Sequence, residues 1–335
     1  MARFSKRRVN ITDVAELAEV SIATVSKVLN QKDDHISEET RIRVQEAVQQ
    51  LGYVPNDMAR RLKDSSSRTL GLVIPDISNA FPEMAQGAED EAFRRGYNLF
   101  FCSTGSNPIQ EEKCLKMLVS KMVDGIIYVS SNYESGEALI HSLPVPCVAI
   151  DRQMSKQEDV GVIRIDNEKA MEDVARFITE KGCRRIGCVT ADITKAPSRE
   201  RYKGLVTGLE SCGVPFDQKL LYTGVYSVET GYAGAMSLFE REASLDCIVC
   251  GNDMIAIGVM NVCLRLKKRI PEDIKIIGFD DIYISRYLNP ELTTVKQNAY
   301  EMGQCASRML IDYVEEGKPL STVILPHEIV QRSSV

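Results

Sequence analysis

Apolar positions along this 335-residue chain change their rhythm near residue 69. Up to that point they recur at three- and four-residue spacings in short bursts. Beyond it, short unbroken apolar runs alternate with longer stretches of helical period. The first rhythm predicts amphipathic helices. The second predicts strands buried on both faces, each followed by a helix.

In the leading part, Thr12 is placed to cap a helix over 13–18, with Val14, Ala15, Leu17 and Ala18 as its inner stripe. After a break at Glu19 and Val20, Ser21 caps a second helix that runs to Asn30. Val25, Val28 and Leu29 face in; Ile22, Ala23, Ser26 and Lys27 face out. Ser37-Glu38-Glu39-Thr40 opens a third helix with apolar positions at Ile42, Val44, Ala47, Val48 and Leu51. Gly52 ends it, and Pro55 prevents its renewal. Two short helices about a tight turn, held by a third, make a helix-turn-helix, whose second helix fits a DNA major groove. Lys27 can donate to guanine, while Ile22 and Ala23 offer apolar contact to a thymine methyl. The same pattern also suits a small helical module with a solvated face.

Beyond residue 69 strands are expected at 69–74, 98–101, 125–129, 147–150, 185–189, around Tyr222, at 247–250, 274–279 and 293–296. Helices are expected between them at 82–95, 109–121, 168–181, 200–211, 229–241 and 253–267. So many alternating units predict an α/β body of two lobes, each a parallel sheet flanked by helices. Ligands in such folds bind where strands end in loops. The polar residues there are Asp76, Asn79, Ser130, Asp151, Arg152, Arg199, Arg201, Tyr226, Asn252, Asp280 and Gln297. Carboxylates, amides and guanidinium groups around a few aromatics suit a polyhydroxylated ligand, since each hydroxyl both donates and accepts.

Charge sharpens the division. The net charge of −6 splits into +2 for residues 1–63, with 11 Lys+Arg against 9 Asp+Glu, and −8 for the remainder. A basic head on an acidic body suits a protein whose head alone meets phosphate. The basic N-terminus is followed by no apolar run, so neither an export signal nor a membrane span is expected, and the chain is placed in the cytoplasm. Its ten cysteines are then expected reduced and mostly packed. Cys247 and Cys250 form a C-x-x-C, but on a strand they point to opposite faces and are poorly placed to share a metal. The three histidines, His35, His141 and His327, have neither metal-ligand nor triad spacing, and no nucleophile-elbow or phosphate-loop motif occurs. An enzyme is not expected, and no metal or cofactor is implied.

Ile11-Thr12-Asp13-Val14-Ala15, the helix from Val20 to Asn30 and the run Tyr53-Val54-Pro55-Asn56-Asp57-Met58-Ala59-Arg60-Arg61-Leu62 strongly resemble the LacI/GalR repressor family. The resemblance spans nearly the whole chain. It implies DNA contacts from Thr12, Ser21, Ile22, Ala23, Thr24, Lys27, Asn30, Tyr53, Asn56, Ala59, Arg60, Leu62 and Lys63. It also implies that residues after Asn56 fold as a hinge helix on DNA, with Leu62 as a minor-groove wedge. The expected organisation is a head at 1–55, a hinge and linker at 56–69 and an effector domain at 70–335. The N-lobe takes about 70–160 and 295–323, and the C-lobe about 161–294 and 324–335.

The body is similar to periplasmic sugar-binding proteins, and Ile150-Asp151-Arg152-Gln153, Ser198-Arg199-Glu200-Arg201, Gly251-Asn252-Asp253, Gly278-Phe279-Asp280 and Gln297 resemble ribose-type sensors. This implies a sugar held by Asp151, Arg152, Arg201, Asn252, Asp280 and Gln297, with Tyr226 at an aromatic position and Asn79, Phe81 and Ser130 beside them. Ser78-Asn79-Ala80-Phe81-Pro82 departs from the family's Ser-Asn-Pro-Phe-Phe and carries one aromatic fewer. The function expected is a sequence-specific regulator, a repressor of carbohydrate metabolism, controlled by a small sugar such as ribose. A purine or sugar-phosphate effector, or a sugar-binding protein without regulatory role, are the alternatives. Partners expected are a pseudo-palindromic double-stranded operator and a second copy of the chain, because one head offers few base contacts.

Overall fold

The computed structural model describes residues 9–30, 35–54, 66–77, 79–129, 138–151 and 160–335. The chain divides into two units, Met1–Ser67 and Arg68–Val335.

The first unit holds helices α1 (Ile11–Leu17), α2 (Ile22–Leu29) and α3 (Glu38–Leu51). Asn10, not Thr12, caps α1. Its side chain accepts from the Thr12 and Asp13 amides at 2.8 and 3.1 Å, and Asp13 Oδ2 accepts the Asn10 amide in return at 2.8 Å. This reciprocal box satisfies more of the free amides than a cap at Thr12 would, so the helix starts two residues early. Ser21 and Ser37 cap α2 and α3 through the Thr24 and Thr40 amides. Gly52 ends α3 at φ 59°, where a residue without Cβ is unstrained. Val14, Ala15, Ala18, Val25, Val28, Val44, Ala47 and Tyr53 form the core. Leu17 and Ile42, expected inside, stand about half exposed, because three short helices close over only a narrow stripe.

The second unit contains two six-stranded sheets. The first has the order β11-β5-β4-β3-β1-β2 and the second β12-β10-β9-β8-β6-β7. The strands are β1 (Thr69–Ile74), β2 (Asn98–Ser103), β3 (Gly125–Tyr128), β4 (Cys147–Ile150), β5 (Val160–Ile165), β6 (Ile186–Ala191), β7 (Leu221–Gly224), β8 (Cys247–Cys250), β9 (Lys275–Asp280), β10 (Thr293–Lys296), β11 (Thr322–Leu325) and β12 (Glu328–Val330). All neighbours pair in parallel except β10 with β12. Helices α4 (Phe81–Arg94), α5 (Pro108–Ser120) and α10 (Ala299–Glu316) pack on the first sheet. Helices α6 (Asn167–Glu180), α7 (Ala196–Ser211), α8 (Val228–Arg241) and α9 (Asp253–Arg265) belong with the second.

Glycines let these helices pair closely. A methyl on Gly87 of α4 would lie 2.0 Å from the Tyr300 carbonyl oxygen of α10, and one on Gly303 of α10 equally close to that of Met84. Gly231 of α8 and Gly258 of α9 repeat the device against the Ile255 and Val228 carbonyls at 2.0 and 2.1 Å.

Three expectations need correction. Strand β5 lies in the first sheet, so that lobe extends to Ile165 and not 160; β10 belongs to the second sheet and all of β11 to the first. Gly161 and Arg164 break the apolar run of β5 and concealed it. Strand β2, expected to be buried, is an edge strand with Phe100 and Phe101 about half exposed. Helix α7 begins at Ala196, four residues earlier than expected, with Pro197 in its first turn, where a missing amide hydrogen costs nothing. The chain crosses between sheets three times, after β5, β10 and β11, as many times as the expected lobe bounds imply. All ten cysteines are free and eight are buried, Cys247 and Cys250 among them on β8.

Candidate functional site

In the first unit the outer face of α2 presents Ser21, Ile22, Ala23 and Lys27 to solvent. Ser21 is also the cap, and its hydroxyl meets that of Thr24 at 2.9 Å, so both are held at the helix start. The positive end of the helix dipole therefore lies beside these side chains, which favours an anionic partner such as phosphate. Asn30 turns its amide back onto the Ser26 carbonyl at 2.7 Å and so secures the far end of α2. Tyr53, implied as a DNA contact, instead has its ring buried in the head's core. Thr12 is exposed on α1. Asn56, Ala59, Arg60, Leu62 and Lys63 lie outside the described residues, as do Ser130 and Arg152 of the body.

In the second unit the loops after successive strands converge on Asp280, which ends β9 and is only 4% exposed. Its backbone φ of 112°, with 57° at Asn79 and 54° at Asp151, places three of the expected ligands in conformations that side chains seldom adopt. Such strain persists where surrounding contacts over-determine it, and it concentrates at binding sites. Asn79, from the loop after β1, donates Nδ2 to Asp280 Oδ2 at 2.5 Å. Gln297, on the crossover after β10, donates Nε2 to Asp280 Oδ1.

Arg201 of α7 is the counterpart cation, 4% exposed. Nη2 lies 3.7 Å from Asp151 Oδ2 and 3.8 Å from Asp280 Oδ1. Nη1 donates to the Gly251 carbonyl and Nε to Asn167 Oδ1, both at 2.9 Å. The guanidinium stacks on Phe279 with 3.7 Å from its carbon to the ring centroid, and Tyr226 lies 5.8 Å away. About a third of Tyr226 (37%) meets solvent, but its hydroxyl turns onto buried Ser198 at 2.9 Å, and burial raises its pKa. Asn252 uses Oδ1 to cap α9 through the Ile255 amide at 3.0 Å. Phe81 is not drawn into this cluster: it starts α4 and packs half-buried against the hydrophobic core.

Burial is the main reason that Asp280 is pushed up to about 6, with Asp151 adding to it and Arg201 and Asn79 opposing. Behind it Asp253, fully buried, is pushed up to about 7 by burial first and Asp280 second. Asp253 accepts from Thr294 Oγ1, Ser285 Oγ and the Ile282 amide at 2.6, 2.7 and 2.9 Å. It thus fastens the loop that follows Asp280. A methyl on Gly278 would lie 2.1 Å from Asp253 Oδ1, so that glycine makes the room.

Three contributors escaped the sequence reading. Asn167 bridges Arg201, Glu200 (Nδ2 to Oε2, 3.1 Å) and Asp151 (Nδ2 to Oδ1, 3.5 Å). Glu200 is buried, and its carboxyl is raised by that burial. Phe279 supplies the face under Arg201. Recognising Val160-Gly161-Val162-Ile163-Arg164-Ile165 as a strand would have exposed Asn167, which follows it as Asp151 follows β4. Asp280 also borders a neighbouring cavity of about 490 Å³, whose other walls include Arg286, Lys296, Tyr300, Glu301 and Arg308. Among the described residues no group of three His, Cys, Asp or Glu is arranged for a metal ion, and no helix is long and apolar enough to cross a membrane.

Residues 10–56 match the family described as bacterial regulatory proteins, lacI family, and residues 175–335 match a periplasmic binding protein-like domain. The HTH-type transcriptional regulator RegA of Clostridium saccharobutylicum is 35% identical over 330 residues, covering 97% of this chain and 98% of its own. The ribose operon repressor of Halalkalibacterium halodurans is 34% identical over 327 residues, covering 97% and 96%. Among solved structures, the complex of the transcriptional regulator CelR with cellobiose superposes with a TM-score of 0.75 at 25% identity, covering 98% of this chain and all (100%) of that one. The lac repressor dimer bound to operator superposes with a TM-score of 0.86 at 23% identity, covering 98% and 99%, a likeness of fold.

Proposed function

Because the chain belongs to the lacI family of bacterial regulatory proteins and is a DNA-binding transcriptional regulator, we propose that it represses genes of carbohydrate metabolism under the control of a small sugar of pentose size, such as ribose. The observation that carries the sugar reading is the convergence of Asp151, Asn167, Arg201, Asp280 and Gln297 from the ends of β4, β9 and β10 and from helices α6 and α7. Such a ring of fixed donors and acceptors matches a molecule whose every hydroxyl does both.

On the DNA side, Ile22, Ala23 and Lys27 are the proposed base-reading residues, with Thr12, Ser21, Thr24 and Asn30 around them. Tyr53 supports that surface from within. Asn56, Ala59, Arg60, Leu62 and Lys63 form the proposed hinge, with Leu62 as the wedge that parts a base step. Two copies of the chain place two heads on a two-fold operator. The sugar acts by binding the DNA-competent and DNA-free states unequally, since equal binding shifts nothing.

The deciding experiment selects an operator from random duplexes with the full-length protein and titrates it with and without ribose. The expected result is a pseudo-palindromic site, loss of affinity with rising salt and a ribose-dependent change in operator affinity. Ribose that binds the protein yet leaves operator affinity unchanged would sink the regulatory coupling.

A further inference from the structure

The chain enters the second unit at Arg68 under strain. Its φ of 46° lies in the left-handed region, which glycine holds at ease and arginine does not. The backbone there is committed, because the Arg68 carbonyl accepts the Asn98 amide at 2.9 Å as β1 begins. What the position gains is a long cationic side chain. The guanidinium carbon lies 5.6 Å from the ring centroid of buried Tyr97, and Nη1 lies 3.7 Å from Glu315 Oε1 near the end of α10. Strained backbone persists where neighbouring contacts over-determine it, and these contacts, with the carbonyl bond, supply that hold.

Glu315 is itself fixed. Its other oxygen, Oε2, accepts from Arg95 Nη2 at 2.7 Å, and Arg95 Nη1 donates to Asp312 Oδ1 at 2.9 Å. Arg95 directly follows α4, so these ion pairs tie the ends of α4 and α10 together. Along their length the glycine crossings hold the two helices as one piece, as does the Ser307 hydroxyl, which donates to the Ala88 carbonyl at 2.7 Å. Arg68 therefore rests on a rigid mount. An exposed ion pair of this kind adds little stability. Its effect is on direction, because it takes freedom from the residue at which the chain passes from head to body.

Two heads of one dimer must reach two half-sites at once. The second head binds with an effective concentration that falls as its tether gains freedom, and a tether fixed beforehand leaves less to order on binding. We propose that Arg68 is a positioning residue for operator binding: held by Tyr97 and Glu315, it fixes the direction in which the chain leaves the body and so keeps paired heads at the spacing of one operator. This rests on the reading that paired heads bind a two-fold operator.

The test titrates full-length wild type, Arg68→Gln, Glu315→Gln and the double variant against the operator that wild type selects, and against a duplex carrying one half-site. Each single variant is expected to bind the full operator about fivefold more weakly, and the double variant no more weakly than either. All are expected to bind the half-site as wild type does. Glu315→Gln decides between position and charge. Removing an acidic group strengthens attraction to phosphate by charge alone, so weaker binding there has to act through Arg68. Asp312→Asn breaks the other contact of Arg95 without touching Arg68, and is expected to keep wild-type affinity. Urea midpoints close to wild type are expected throughout, because the Arg68–Glu315 pair is largely exposed. Unchanged operator affinity in either single variant overturns the proposal. So do tighter binding by Glu315→Gln, losses that add in the double variant, equal weakening on the half-site, or a loss in Asp312→Asn as large as in Glu315→Gln. Wild type that binds the half-site as tightly as the full operator removes the premise, and the proposal with it, since one head then carries all the affinity.

Discussion

Asn79 and Asp280 stand on opposite lobes and are joined by a 2.5 Å hydrogen bond from amide to carboxylate. A bond of this kind to a charged, buried acceptor contributes about 1.5–3 kcal/mol. Asn79 also holds φ at 57°. Asn79→Gly removes the bond and keeps that backbone at ease, so it is expected to lower stability by about 1–2 kcal/mol. Asn79→Ala loses about 1 kcal/mol more, since alanine resists the left-handed region. Urea denaturation of both variants checks the pair, and equal losses would mean that the backbone contributes nothing.

Acid dependence follows from the same carboxyl. Asp280 ionises in the fold near pH 6 and Asp253 near pH 7, both above their ordinary value of 3.8. Between about pH 4 and 7 the folded chain keeps protons that the unfolded chain has released, so the contribution of these groups to stability falls as pH rises and is flat above that window. Asp280→Asn stays neutral throughout and, by turning one neighbouring amide, retains both hydrogen bonds. Its stability relative to wild type is expected to rise from pH 5 to pH 7.5. A constant difference across that range counts against the assignment.

Asp253 is a fastening and not a ligand. Replacing it with alanine frees Thr294, Ser285 and the Ile282 amide, all of which it holds. A loss of about 3 kcal/mol or more is expected, from several hydrogen bonds to one buried acceptor. Hydrogen exchange should quicken at Ile282 before it does in β1. Protection at Ile282 unchanged in Asp253→Ala would show that the loop is held by something else.

In the head, Ser21→Ala removes the cap on α2 and is expected to cost about 1 kcal/mol of local stability. Lys27→Ala, at an exposed position, should leave stability unchanged and weaken operator binding. Exchange protection of the Thr24 amide and operator anisotropy read the two effects separately. Weakened protection in Lys27→Ala would place Lys27 in the fold and not at the DNA.

Gly303→Ala puts a methyl 2.0 Å from the Met84 carbonyl, against backbone that no side-chain rotation can clear. Helices α4 and α10 must part, at a cost of about 1–3 kcal/mol or more. Gly213→Ala, with nothing near its Cβ and only a φ of 73° to contend with, is the milder control. Equal melting temperatures for the two variants would contradict the close helix crossing.

Much of this was legible before any coordinates. Buried parallel strands announce themselves as unbroken apolar runs, and Asp151, Asn252, Asp280 and Gln297 each follow one of them. Serine and glycine marked the ends of α2 and α3 because capping is a local contest among nearby amides. What stayed hidden is relational. Nothing in the order of residues says that Asn167 reaches Arg201, that Phe81 serves the core, or that Tyr53 folds inward. Phe100 and Phe101 read as interior because hydrophobicity alone does not tell an edge strand from a central one.

The last stretch of chain closes both lobes. Strand β11 completes one edge of the first sheet and β12 one edge of the second. Ser334 then stitches the second sheet together: its hydroxyl donates to the Ile276 carbonyl at 2.6 Å and accepts the Thr293 amide at 2.8 Å, and its own carbonyl accepts the Ile276 amide at 2.9 Å. On the ribosome, therefore, neither lobe can be sealed until these residues have emerged. A product broken upstream of Thr322 would leave β5 and β10 as new edge strands and would lose every bond that Ser334 makes to Ile276 and Thr293.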